Sequence, residues 1–156
     1  MLIRKLFEKD LPEALELVWS VFSRFEAPEY TQEGIRVFRD FIDPDQIARM
    51  LDSGVLRFWG AIRQGKIVGV IAIRGSSHIS LLFVDTNHQR KGIAKSLVAR
   101  VEQFATLMNC NTLTVNSSPY AVAFYERLEF RAISGEQEKQ GIRFTPMLRQ
   151  IKKSGP

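Results

Sequence analysis

Between residues 55 and 84 the chain adopts a two-residue rhythm that leaves little freedom in what it builds. "VLRFWGAIR", "KIVGVIAIR" and "HISLLFV" are dense in β-branched and aromatic residues, and only "QGK" and "GSS" separate them. Parallel neighbours need a crossover of a dozen or more residues, so strands joined this tightly form an antiparallel meander. Such a sheet must have its apolar surface covered. An amphipathic helix follows almost at once, predicted over about residues 91–108. Ile93, Ala94, Leu97, Val98, Val101, Phe104, Ala105 and Met108 line one face, with Lys95, Arg100, Glu102 and Gln103 on the other.

The flanking segments extend this pattern to a mixed α/β sheet, mostly antiparallel and twisted, with helices on both faces. "LIRKLF" reads as a first strand. "DLPEALELVWSVFSRF" reads as a helix capped by Asp10, with Pro12 early and Leu15, Val18, Trp19 and Phe22 facing inward. "EAPEY" breaks it. A second helix starts after Thr31, and a third, "PDQIARMLDSG", ends at Gly54. Beyond the long helix, "NTLTVNS" is a strand, "YAVAFYERL" a short helix, and "FRAIS" and "IRFTPMLRQI" a closing pair of strands. Phe58, Trp59 and Phe83 are expected in the core.

A chain of 156 residues suits one domain, taken as 1–156. No apolar run approaches the roughly 20 residues of a membrane span, and "MLIRKLFEKD" lacks a secretory apolar stretch. The single cysteine, Cys110, leaves no internal disulfide and no cysteine-based metal cage, so cytoplasmic residence and no metal are expected. The net charge of +5 is uneven. Residues 1–78 hold 11 Lys/Arg against 11 Asp/Glu, whereas residues 79–156 hold 11 against 6. Such a half can serve nucleic acid, a membrane surface or a small polyanion. The only adjacent basic pair in its tail is Lys152–Lys153, and no finger or basic-zipper pattern is present, so neither nucleic acid nor membrane is expected as a partner.

The polyanion reading has a location. In "QRKGIAKS", residues 89–96, a strand gives way to a helix. The first turn of a helix carries N–H groups without acceptors, and the helix dipole makes that end positive. Gly92 lets the backbone approach a ligand closely, and Ala94 keeps the next turn small. Arg90, Lys91 and Lys95 oppose the dipole unless an anion joins them; with one, they complete a pyrophosphate cradle. The alternative is a surface loop with a cationic helix start. The spacing is neither that of a nucleotide P-loop nor that of a dinucleotide fingerprint.

Gln89 to Ala94, "Q-R-K-G-I-A", following the strand end "LLFVD", resembles the acyl-CoA motif Gln/Arg-x-x-Gly-x-Gly/Ala of the GNAT family of N-acetyltransferases. "NSSPYAVAFYERLEF" resembles that family's later motif. The two cover residues 82–105 and 112–130. The resemblance implies that Gln89, Arg90, Lys91, Gly92, Ile93, Ala94, Lys95 and Ser96 hold the diphosphate of acetyl-CoA. It also implies that the backbone of Leu82, Phe83 and Val84 lies beside pantetheine, in a gap between a bulged strand and "LTVNS". Asn116 or Ser118 would hydrogen-bond the pantetheine arm, and Tyr125 would act as general acid to the leaving thiolate. Without the motif, Tyr125 reads as an amphipathic core residue with its hydroxyl at the rim. Three positions depart from the pattern. Thr86 stands where relatives often have proline, Ser118 where they often have asparagine, and Glu129 where glycine usually supplies a left-handed turn, at a cost of roughly 1 kcal/mol.

The expected activity is direct acetyl transfer from acetyl-CoA to a primary amine of a small molecule or peptide, without an acyl-enzyme; Cys110 lies away from both motifs. The alternative is a non-catalytic acyl-CoA sensor. His78, at the start of the strand leading to the motif, is the candidate base, with an exposed strand-start residue as the plainer reading. Ser80, two residues on, is expected to share its face, and His88 is expected to face solvent. Glu26, Tyr30, Glu33 and Ser80 are the candidate acceptor-binding residues, and the aromatic and acidic "FSRFEAPEY" suits a cationic acceptor. A homodimer is expected from the resemblance.

Overall fold

The structure, a computed structural model, describes residues 1–151; Lys152 and Lys153 lie outside the described residues. The elements are β1 (Leu2–Lys5), α1 (Leu11–Val21), α2 (Gln32–Phe41), α3 (Pro44–Asp52), β2 (Leu56–Arg63), β3 (Lys66–Arg74), β4 (His78–Val84), α4 (Ile93–Leu107), β5 (Thr112–Ser117), α5 (Val122–Arg127), β6 (Arg131–Ala132), β7 (Gln137–Lys139) and β8 (Ile142–Gln150). The sheet order is β1-β2-β3-β4-β5-β8-β6, with β7 pairing β8. The β4–β5 pair is parallel and every other pair antiparallel. Among the described residues, no helix is long and apolar enough to cross a membrane.

Each face of the sheet has its own core. On one, Trp59, Ala61, Ile71, Ile73 and Ile79 pack against Ile93, Leu97, Val98, Val101 and Ala105 of α4, joined by Val115, Tyr125 and Met147. On the other, Phe58, Val70, Ala72, Leu81 and Phe83 pack against Leu11, Leu15, Val18 and Phe22, with Ile47 of α3. Gly69 admits α4 closely: a Cβ there would lie 2.8 Å from Ile93 Cγ2.

Several expectations are corrected. Asp10 does not cap α1 with its side chain. A 3-10 turn at Glu8–Asp10 precedes the helix, so the carboxylate reaches back to accept the Phe7 N–H at 2.9 Å and both Nη groups of Arg4 at 3.0 Å. Thr31 does cap α2, accepting the Gly34 N–H at 3.0 Å. Met108 is 46% exposed because α4 ends at Leu107 and the chain there turns off the sheet. The closing strands are not a simple pair. β8 runs between β5 and β6, and "QEK" forms the further strand β7, which sequence reading missed because all three residues are polar and exposed.

Two irregularities position the site. Ala72 faces Leu81 and Ile73 faces Ile79, so Ser80 is an extra residue in β4. The bulge reverses the strand's inside and outside. Ile79 packs with the α4 core, whereas Leu81 and Phe83 pack with the α1 core. Counting by twos from His78 to Ser80 therefore fails across this point. The second irregularity follows α1. Phe22–Glu26 is a π-helical turn, with the Ala27 N–H donating back to the Phe22 carbonyl.

Candidate active site

β4 and β5 pair only at His78–Thr114 and Ile79–Val115. Beyond the bulge they part: β5 continues its pairing with β8 through Ser117, while β4 stays on β3 to Val84. A cleft of about 450 Å³ opens where they diverge, within the range of small-molecule sites. Leu82, Phe83 and Val84 form one wall, and Tyr125 with Phe124 of α5 and Leu128 just past its end forms another. Gln89, Arg90, Gly92, Ile93, Ala94 and Lys95 close the end at the head of α4, and Phe25 and Glu26 close the side toward α1.

The head of α4 is bare. Gly92 occupies the N-cap with φ 79°, and no side chain caps the helix. The Ser96 N–H closes the first turn onto the Gly92 carbonyl at 3.0 Å. The amides of Ile93, Ala94 and Lys95 precede it and are those an α-helix leaves without internal acceptors. A Cβ built on Gly92 meets nothing within 4 Å, so the approach is open. Arg90 also has positive φ, 63°, a strained choice for a non-glycine residue. Together these turn successive N–H groups toward one concavity. The Gln89 amide donates to the Val84 carbonyl at 3.3 Å and ties the loop to β4. Lys91 is exposed and does not line the cleft. His88 is not simply solvated: it lines the cleft, and its Nδ1 lies 2.8 Å from Asp85 Oδ2.

Tyr125 is 5% exposed, its ring edge-on to Phe124 at 5.1 Å and to Phe130 at 5.4 Å. Burial, and then the charge of Glu26, push its phenol far above the usual range, so it stays protonated. The helix that carries it ends in a Schellman turn. The Phe130 N–H donates to the Tyr125 carbonyl and the Glu129 N–H to the Glu126 carbonyl, both at 3.0 Å. Glu129 adopts φ 67°, the left-handed conformation expected of the glycine it replaces.

Glu26 faces the cleft from the π turn. Its Oε1 accepts the Ser118 hydroxyl at 2.8 Å. Burial raises its carboxyl from 4.5 to about 7, opposed by the Ser118 hydrogen bond and assisted by the charge of Glu29. Glu29 Oε2 accepts the Tyr120 N–H at 2.9 Å. Tyr30 packs edge-on to Phe22 at 5.1 Å, and burial followed by the charges of Glu26 and Glu29 pushes its phenol up.

The other named residues lie around this cleft rather than in its lining. His78 sits where β4 and β5 are still paired, with Nδ1 2.8 Å from Thr114 Oγ1; burial, then the charge of Arg74, lowers its pKa. Asn116 is exposed, Ser118 is buried, Ser80 sits at the bulge, and Glu33 is exposed on α2. Phe25, Tyr120, Phe124 and Arg127 also line the cleft, with Phe25 stacked on Tyr120 at 5.4 Å. The helical spacing of Ala121, Phe124, Tyr125 and Leu128 is the signal that could have marked this wall; nothing in the sequence singles out Arg127.

A splayed sheet with an uncapped helix head at its mouth suits a ligand that joins an anionic diphosphate to a slender, weakly charged arm. The structure resembles solved acetyltransferases. Against the GCN5-related N-acetyltransferase of Rhodopseudomonas palustris the TM-score is 0.82 at 20% identity, covering 96% of this chain and 94% of that one. Against the PaiA N-acetyltransferase of Thermoplasma acidophilum, solved with coenzyme A, it is 0.78 at 18% identity, covering 96% and 98%. The model of the acetyltransferase (GNAT) domain family matches residues 26–151, and the chain belongs to the GNAT acetyltransferase family. N-acetylaspartate synthetase of Xenopus tropicalis is 33% identical over 84 residues, 49% of this chain and 31% of that protein. The rat protein of the same name is 38% identical over 82 residues, 47% and 27%. The chain thus spans about a third of the length of these relatives.

Proposed function

We propose that the protein, a single acyltransferase domain over residues 1–156, transfers acetyl from acetyl-CoA to a primary amine that arrives as a cation. The observation that carries this is the opening between β4 and β5, with the bare head of α4 at one end and Tyr125 on its wall. The amides of Ile93, Ala94 and Lys95, with Gly92 and the side chains of Arg90 and Lys95, would hold the diphosphate. Leu82–Val84 would run beside pantetheine. Asn116 is the better partner for that arm, because the Ser118 hydroxyl already donates to Glu26. Tyr125, kept neutral by burial, offers its hydroxyl to the sulfur. Full proton transfer from so weak an acid to a thiolate of ordinary basicity, near 8.5, is uphill, so Tyr125 acts first as a hydrogen-bond donor and passes on the proton that the new amide sheds. Glu26 would form the acceptor wall, with Tyr30 packed behind it on Phe22 and Glu33 and Ser80 at its margins.

The acidic segment from Glu26 to Glu33 favours an amine without carboxylates. The N-acetylaspartate synthetase relatives suggest a second reading, an acidic amino acid, which Arg127 on the cleft wall suits. The same reading places the enzyme in the cytoplasm, as a homodimer, drawing on that compartment's acetyl-CoA. Thiol release from acetyl-CoA is the test, with diamines, aminoglycosides, peptides and aspartate as acceptors. At least one amine should raise release well above hydrolysis. Tyr125→Phe should cut turnover about 10- to 100-fold while acetyl-CoA affinity changes little. Binding of acetyl-CoA with no acceptor-dependent release would favour the sensor instead.

A further inference from the structure

The inward stripe of α1 runs Leu11, Leu15, Val18 and Phe22, all buried. The next rung, four residues beyond Phe22, is Glu26. A carboxylate where the pattern calls for a hydrophobe is a conflict between local patterning and fold, and such conflicts gather at functional sites. The π turn holds Glu26 at the cleft, and among the described residues only one of its oxygens is engaged, Oε1 by Ser118. His78 does not line the cleft; it sits in the paired part of β4 and β5, hydrogen-bonded to Thr114.

We infer that Glu26, rather than His78, is the base that deprotonates the incoming ammonium. This rests on the acetyl-transfer reading above. Oε2 takes one proton from the ammonium, and the freed nitrogen lone pair forms the C–N bond at the thioester carbonyl carbon. The C–S bond breaks and sulfur leaves with the electron pair. A second nitrogen proton reaches the thiolate through Tyr125, the third stays on the amide, and Glu26 returns its proton to solvent. The charged and titratable groups around Glu26 are Glu29 and Tyr30 on its own segment, Tyr125 and Arg127 on α5, and His88, Arg90 and Lys95 on the far rim. Burial, opposed by the Ser118 hydrogen bond and assisted by the charge of Glu29, leaves the carboxyl at about 7, matched to a base that works at neutral pH.

The test compares wild type with Glu26→Gln, which keeps an oxygen for Ser118. Thiol release with one amine is followed from about pH 5.5 to 10, and acetyl-CoA binding is measured by calorimetry. Wild-type kcat/KM should rise through an inflection near 7. The variant should lose that inflection and fall about 100-fold or more at neutral pH, then converge on wild type as pH nears the amine's own value of about 10, where no base is needed. Acetyl-CoA binding should be unchanged. Ser118→Ala, which removes the bond that holds the carboxyl down, should move the inflection upward and serves should Glu26→Gln fold poorly. A pH-independent loss in Glu26→Gln, or a retained inflection, overturns Glu26 as base and leaves acetyl transfer standing. A wild type that binds acetyl-CoA and acetylates no amine overturns both.

Discussion

Replacing Glu26 with glutamine removes a charge and nearly preserves a shape, so the stability of the variant reports what the charge costs the fold. Burial lifts the carboxyl from 4.5 to about 7. At about 1.4 kcal/mol for each pH unit, ionising it inside the protein costs on the order of 3 kcal/mol more than ionising it in the unfolded chain. The sign follows from the proton count. Below the unfolded value both states are protonated and no penalty exists. As pH rises from 4.5 to about 7 the unfolded chain releases its proton first, and stability declines until the folded carboxyl has also ionised. Glutamine escapes the penalty. For a chain of this size about 1 kcal/mol moves Tm by roughly 2–4 °C, so Glu26→Gln should unfold about 5–10 °C above wild type at pH 8 and within about 1–2 °C of it near pH 4.5. Asp10 titrates in the opposite sense. The hydrogen bond from Arg4 holds its carboxyl down, so its contribution is present above 3.8 and is lost as pH falls through the depressed value. That term is common to both proteins and cancels in the difference. Scanning calorimetry across this range is the assay. A difference that stays constant with pH, or a variant less stable at pH 8, would refute burial as the source of the raised carboxyl and leave a charge–function trade at this position without support.

Two further outcomes follow from the head of α4. Gly92→Glu places a carboxylate where the bare amides converge, at a backbone φ of 79°. It should weaken acetyl-CoA binding by about tenfold or more and cost about 1–2 kcal/mol in stability; calorimetric affinity equal to wild type would show that the diphosphate sits elsewhere. Gly69→Ala sets a methyl 2.8 Å from Ile93 Cγ2 and 3.1 Å from Leu97 Cδ1. Overpacking there should cost about 1–3 kcal/mol in chemical denaturation, and if α4 yields by carrying its head away from β4 it should also weaken acetyl-CoA binding; a stability loss with intact affinity would uncouple the two.

The sequence disclosed the regular parts of this molecule well, because their period and their turns agree. β3 and β4 begin and end where "KIVGVIAIR" and "HISLLFV" do, and Gln64 and Gly65 take the positive φ that a tight hairpin requires. Glu129 shows that a departure can be as informative as a match: the motif asks for a left-handed residue, and the glutamate adopts φ 67°. What escaped are features with no period of their own. The π turn at Phe22–Glu26 has no signature in the sequence, and β7 exists only through its pairing with β8; the bulge, which the family resemblance did imply, takes its place at Ser80 from register against β3. Asp10 looked like a cap in every local respect, and lost that role because Arg4 and the Phe7 N–H, both earlier in the chain, claimed its oxygens.

The candidate site divides along the same line. The proposed diphosphate end was legible because its residues are six consecutive ones, Gln89 to Ala94, whose backbone would do the binding. The acceptor end joins Glu26 to Ser118, 92 residues apart in the chain, through one hydrogen bond. No spacing rule links them. A signal was present all the same, in the glutamate that interrupts the run Val18, Phe22 on a buried helix stripe. Reading it required treating that interruption as a position where the fold bears a cost. A helix that ended its stripe in leucine would pack better and hold no proton acceptor at the cleft. The π turn brings the carboxylate to the cleft's edge, where Ser118 satisfies one oxygen; in the acetyl-transfer reading proposed above, an approaching ammonium would satisfy the other.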